Sequence, residues 1–239
     1  SPAGSAMTYS WSIPGASPNN STAQQPAVSF SNPGSSVITL VTTSPGGCSD
    51  TAQSTVTIYP LPDAVFSAPA VCFGTATPFT NSSSVIAGGS LATYNWSFPG
   101  ATPASSTAPN PIVNYASPGQ HSVTLIVSTT DGCHDTLLQT VNVLAMPAAS
   151  FTTAPICFGE QLQLHNQSTI TPVNDPINYF WTIQGGSPSV STAFEPQVSF
   201  SSPGSSSISL VATSLSGCSD TANFTVVIHP VPSSAFSAP

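Results

Sequence analysis

Tyr94-Asn95-Trp96-Ser97-Phe98 and Val123-Thr124-Leu125-Ile126-Val127 are the stretches on which the fold turns. Both alternate apolar and polar side chains with a period of two, which is the pattern of a strand that buries one face. Gln161-Leu162-Gln163-Leu164 and Thr140-Val141-Asn142-Val143 repeat it, and turn residues such as Ser117-Pro118-Gly119 and Asp131-Gly132 separate the runs. Around these runs the chain repeats itself. Trp11, Trp96 and Trp181 are each 85 residues apart. The same step carries Cys48 to Cys133 and Cys218, Pro33-Gly34 to Pro118-Gly119 and Pro203-Gly204, and Phe66 to Phe151 and Phe236. Cys72-Phe73-Gly74 recurs as Cys157-Phe158-Gly159. A period this regular means tandem domains.

Cutting before Pro62, Pro147 and Pro232 gives a first repeat over 1–61 without its opening part, complete repeats over 62–146 and 147–231, and the first strand of another over 232–239. Both ends therefore fall inside a repeat, and the sequence reads as an excerpt of a longer protein. Six or seven short strands per 85 residues fit an all-β, immunoglobulin-like sandwich. The joints Val143-Leu-Ala-Met-Pro147 and Ile228-His-Pro-Val-Pro232 are short and proline-bearing, which predicts a stiff head-to-tail rod.

Composition narrows the function. The 239 residues include 8 acidic side chains, no Lys and no Arg, and only 3% are charged, against roughly 25% in an ordinary domain. Nucleic-acid binding, phosphate-binding loops and lysine chemistry are excluded by that absence. Trypsin has no site to cleave. No apolar run approaches the ~18 residues of a membrane span, so no membrane insertion is expected. Ser1-Pro-Ala-Gly-Ser-Ala6 has neither the charged start nor the apolar stretch of a signal peptide.

The run from Tyr94 to Gly100, then Asn110-Pro-Ile-Val-Asn-Tyr115 and Pro118-Gly-Gln-His-Ser-Val-Thr-Leu-Ile-Val127, resembles the polycystic-kidney-disease (PKD) domain family. The resemblance extends over every unit and implies an Ig-like sandwich used as a spacer or adhesion module. The added cysteines, with Gly-Cys-x-Asp-Thr late in each unit, are similar to PKD-like repeats of giant Bacteroidetes surface proteins exported by the type IX system. Some of those act as gliding or attachment adhesins. The family's usual Phe-Gly-Asp-Gly turn is replaced here by Phe98-Pro-Gly-Ala, Ile13-Pro-Gly-Ala and Ile183-Gln-Gly-Gly. The lost carboxylate argues against calcium at that turn.

Regular cysteines in such a chain imply disulfides. In the Ig-like arrangement that the resemblance implies, Cys72 lies at the bottom of its domain and Cys133 at the top. An inter-repeat bond from Cys72 to Cys218 then suits the reach of a disulfide, with Cys48, Cys133 and Cys157 bonded to repeats outside the sequence. Bonds within repeats, Cys72 to Cys133 and Cys157 to Cys218, stay open as the alternative. Asp50-Thr51-Ala52, Asp135-Thr136-Leu137 and Asp220-Thr221-Ala222 resemble the O-glycosylation acceptor of exported Bacteroidetes proteins, which makes Thr51, Thr136 and Thr221 candidate acceptors on an exposed turn. The plainer reading of each triplet is a hairpin whose Asp accepts local backbone bonds.

Trp11, Trp96 and Trp181 are expected in the core. Phe73 and Phe158 are candidates for packing between domains. His121, His134, His165 and His229 fall at four different repeat positions, and Glu160, Glu195, Asp63 and Asp175 each occur in one unit only. A catalytic or metal site built on a repeat would recur, so neither an enzyme nor a cofactor is expected. The sequence thus reads as a structural segment of a long surface adhesin or filament, a stalk projecting an adhesive region. Its partners are neighbouring repeats, other copies in a filament, and surface polysaccharide or an abiotic surface contacted by regions elsewhere. The alternative is a carbohydrate-binding module or accessory spacer of a secreted hydrolase.

Overall fold

The structure is a computed structural model that describes residues 6–86, 89–171 and 175–236. No helix occurs among them, and no helix is long and apolar enough to cross a membrane. The middle repeat folds as two layers. Its larger sheet runs Ser105–Ser106, Leu91–Ser97, Gly119–Thr129, His134–Leu144, Val71–Cys72. The facing layer comes from Thr77–Pro78, Ile112–Tyr115 and Ala101–Thr102, together with the short pairs Phe66–Ser67 on Thr80–Asn81 and Pro62–Asp63 on Ser84–Val85. The third repeat copies this order around Ile177–Ile183, Gly204–Ser214 and Ser219–His229.

Alternation sets which side chains meet. Trp96 pairs with Leu125 across one ladder and Leu125 with Leu137 across the next, so the odd-numbered or even-numbered partners of each strand share a face. The middle core gathers Phe66, Phe79, Trp96, Phe98, Val113 and Leu125, with the Trp96 and Phe66 rings edge-on at 5.2 Å. In the third repeat, Leu164 stands where Phe79 does and Ile183 where Phe98 does, around the same buried Trp181. The period conserves topology and the indole while the surrounding volume is filled by different side chains. Each indole N–H donates at 2.9 Å to a carbonyl twelve residues on, Ala23, Ala108 or Ala193. That bond satisfies the one polar atom of a buried Trp.

Trp11 differs from the other two: it is only partly buried, and among the described residues the first repeat has one four-stranded sheet and one two-stranded pair. The core expectation for this residue is corrected accordingly. The expected strand over 232–239 is also corrected. Residues 232–236 form no strand and Phe236 is 94% exposed, while 237–239 lie outside the described residues.

Candidate functional site

The candidate site is the joint between the second and third repeats. Val71 and Cys72 run parallel to Val143 and Leu144, which places Cys72 beside the strand that leaves the second repeat. Cys218 sits in the hairpin that joins Gly204–Ser214 to Ser219–His229. That hairpin is closed by Ser214 N–H on the Cys218 carbonyl at 2.8 Å and Gly217 N–H on the Ser214 carbonyl at 3.0 Å. Gly217 adopts φ 93°, a left-handed conformation open to glycine at little cost, so a glycine precedes the cysteine in each repeat. The structure joins Cys72 to Cys218 with Cα atoms 5.7 Å apart, across a sequence separation of 146.

Cys48, Cys133 and Cys157 have no disulfide partner within the chain. Cys133 occupies the hairpin position of Cys218, and a partner 146 residues before it would precede Ser1. Cys157 occupies the position of Cys72, beside Ile228 and His229. Cys218 is 1% exposed, whereas Cys48 at the equivalent position is open.

Two clefts border the joint. On one side a cleft of about 260 Å³ lies between Pro118, Gly119 and Asn142–Ala145 of the second repeat and Asp175 and Ser216 of the third. Hydrogen bonds from Ser216 hold the Asp175 carboxyl below its ordinary pKa. On the other side a cleft of about 320 Å³ is lined by Phe73, Pro118, Met146 and Ile170, among others. Phe73 therefore packs on its own core and faces the joint, while Phe158 packs on the third core. The joint is crossed by two covalent links, the peptide Leu144-Ala-Met-Pro147 and the disulfide.

The recurring Asp-Thr triplets have a role that the sequence did not disclose. Asp135 accepts the Ala64 N–H at 2.8 Å and Asp220 accepts the Ala149 N–H at 2.8 Å, each 71 residues away. These bonds tie the opening segment of a repeat to its last strand, and for Asp135 the long-range bond is added to a local one from the Thr136 amide. Asp50 does accept a local bond, from Thr51 N–H at 2.9 Å. Thr51, Thr136 and Thr221 are exposed, but they lie inside the strands Ser49–Ile58, His134–Leu144 and Ser219–His229 rather than on a turn. The hairpins close at the cysteines, before the threonines.

The Ala64 and Thr136 amides lower the Asp135 pKa from 3.8. The stability this carboxylate adds is therefore present above its unfolded pKa and is lost as pH falls through the lower folded value. Replacing it in Asp135→Ala is expected to cost about 1 kcal/mol at neutral pH. The gap in melting temperature to the parent protein should stay level down to about pH 4 and close below it. Thermal melts at stepped pH check this, and a gap that widens in acid would refute the assignment.

The histidines are dispersed. His121 stacks on Tyr115 at 4.1 Å with its Nε2 3.0 Å from the Ser117 carbonyl, and burial pushes the Tyr115 hydroxyl up to about 12. His165 lies 3.6 Å from Glu195 at the surface. Among the described residues no three His, Cys, Asp or Glu side chains converge as metal ligands would.

Residues 59–145 match the family model described as PKD domain. The PKD1 domain of Vibrio anguillarum Epp is 26% identical over 35% of this chain and 93% of its own, with a TM-score of 0.32. Three N-terminal domains of the bacteriophage RB49 Highly Immunogenic Outer Capsid protein are 10% identical over 97% of this chain and 90% of theirs, with a TM-score of 0.45. A carbohydrate-binding-module structure from the β-sandwich superfamily is 16% identical over 72% of this chain and 85% of its own, at a TM-score of 0.31. No curated protein sequence matches the chain. Residues 59–145 are thus similar to the PKD domain family, and the 85-residue period carries the same all-β, immunoglobulin-like pattern into the repeats on either side.

Proposed function

We propose that the chain is a structural segment of a long cell-surface adhesin or filament, a stiff, protease-resistant stalk that projects an adhesive region lying elsewhere. The observation that carries this reading is the disulfide, a second covalent link across the joint. A peptide link alone lets two domains swing, and a second covalent attachment removes most of that freedom without needing a packed apolar interface. A bond of this kind persists in oxidising surroundings, which suits an extracellular, cell-surface location. Export by the type IX route, a part in gliding or attachment, and glycans on Thr51, Thr136 and Thr221 belong to the same reading and rest on the resemblance to giant Bacteroidetes surface repeats.

The carbohydrate-binding alternative calls for exposed aromatics that recur. Phe180, Phe194 and Phe224 are exposed, yet their counterparts one repeat earlier are Asn95, Pro109 and Gln139. That pattern favours the stalk.

Small-angle scattering of the oxidised chain, extrapolated to infinite dilution, tests the proposal. At about 3.3 Å per strand residue plus loops, the expected maximum dimension is on the order of 100 Å with the profile of a stiff rod. Reductant should convert that profile to one of jointed domains. A compact particle, or one already jointed before reduction, would sink the stalk reading.

A further inference from the structure

The opening segment of the middle repeat is stretched along the last strand. Ala64 N–H reaches the Asp135 carboxylate near the start of His134–Leu144, while Val71 and Cys72 run beside Val143 and Leu144 at its end. Seven residues thus lead from Ala64 to Val71, and eight from Asp135 to Val143. Eight residues of strand cover roughly 26 Å and seven residues of any chain reach at most about 25 Å, so the opening segment runs close to full extension. Pro62 and Pro69 fix φ at two of its positions. The third repeat is built alike, with Ala149 at Asp220 and Ile156 beside Ile228.

The disulfide continues this line into the next repeat. Cys72 stands at the far end of the opening segment, and Cys218 adjoins the first residue of the strand Ser219–His229. That strand is eleven residues of extended backbone, and its last two lie beside Ile156 and Cys157. Pro62 is therefore linked to His229 by ten peptide steps, one disulfide and eleven further steps, most of them extended. The peptide route between the same two residues runs instead through residues 73–217, which hold most of both cores.

Which cysteines pair decides what a pulling force meets. Bonds within repeats, from Cys72 to Cys133 and from Cys157 to Cys218, would leave residues 134–156 as the one covalent link between the repeats, with the joint among them. The bond in the structure instead closes a loop whose two ends meet at one point, with Cα atoms 5.7 Å apart. A loop attached at a single point transmits no tension through its interior.

We infer that the Cys72–Cys218 bond completes a taut covalent tie. Tension along the chain passes through the opening segment of the second repeat, the disulfide and the last strand of the third, and residues 73–217 with the joint are shielded from it. Because the path is already extended in the folded state, pulling lengthens it by only on the order of 10 Å before the covalent bonds themselves are loaded. Neither repeat has to unfold. The inference deepens the stalk reading and rests on it for the presence of a pulling load, while the tie itself follows from the connectivity.

Force spectroscopy on the full chain, with fused handles at both ends and Cys48, Cys133 and Cys157 replaced by Ser, tests the tie. The first repeat unfolds as an internal reference. In the oxidised protein the second and third repeats are expected to add no step beyond about 10 Å at loads that unfold the first. Reductant, or Cys72→Ser together with Cys218→Ser, is expected to release the separation of 146 residues as further length, on the order of 500 Å in one or two steps. Steps of that length before reduction, an oxidised lengthening by several tens of Å, or traces unchanged by reductant would each overturn the inference. Small-angle scattering judges the stalk reading separately, since a compact particle that still gives the expected traces removes that reading and leaves the tie standing.

Discussion

Reducing the Cys72–Cys218 bond, or replacing both residues by serine, is expected to lower the stability of the second and third repeats by about 4 to 5 kcal/mol. The reason lies in the unfolded chain. With the bond closed, a second repeat that unfolds stays tethered at both ends to the third, at Pro147 through the peptide and at Cys72 through Cys218. If both repeats unfold, the closed loop spans the separation of 146 residues. Either loop forfeits conformational freedom that the reduced chain recovers. For a unit of this size the melting temperature should fall by about 10 °C or more. Calorimetry with and without reductant, on protein carrying Ser at positions 48, 133 and 157, reads this directly. Matching midpoints in the two states would mean that the crosslink restrains nothing in solution.

Trp96→Ala should be the most damaging single substitution in the middle repeat. Trp96 is fully buried, touches Phe66, Phe79 and Phe98 ring to ring, and donates to the Ala108 carbonyl. Truncation to Ala leaves a cavity and an unpaired carbonyl, for about 3 to 5 kcal/mol. A domain of this length has only some 5 to 15 kcal/mol in total, so a drop of roughly 15 °C or more, or loss of the repeat's transition, is expected. Trp11→Ala is the internal control. Trp11 makes the same bond to Ala23 but is half-exposed, so its truncation removes less contact and should cost clearly less. Equal losses at the two positions would refute the view that the facing layer, rather than the indole bond, supplies most of the stabilisation.

Much of the fold was legible because its causes are local or periodic. Alternation over Tyr94–Phe98 and Val123–Val127 is a property of neighbours in sequence, and it marks strands without knowledge of their partners. The Gly-Cys hairpins were legible for the same reason, since one glycine with φ near 90° serves a loop closed within four residues. The period then carried each reading from one repeat to the next. Less could be read about Thr51, Thr136 and Thr221. Where a hairpin ends and its strand begins depends on which carbonyl closes the loop, and closure at Cys133 puts Thr136 within the strand.

By itself, then, the sequence determined the repeat, its all-β character and the chemistry that a chain without Lys or Arg cannot perform. Only the tertiary structure decided the joint. Two disulfide pairings were open from the residues, and the choice fell to Cys72 with Cys218 because the end of one repeat is set against the hairpin of the next, 146 residues along the chain. The bonds of Asp135 to Ala64 and Asp220 to Ala149 were hidden for the same reason. A partner 71 residues away is chosen by the packing of two layers, and no local pattern of side chains encodes it.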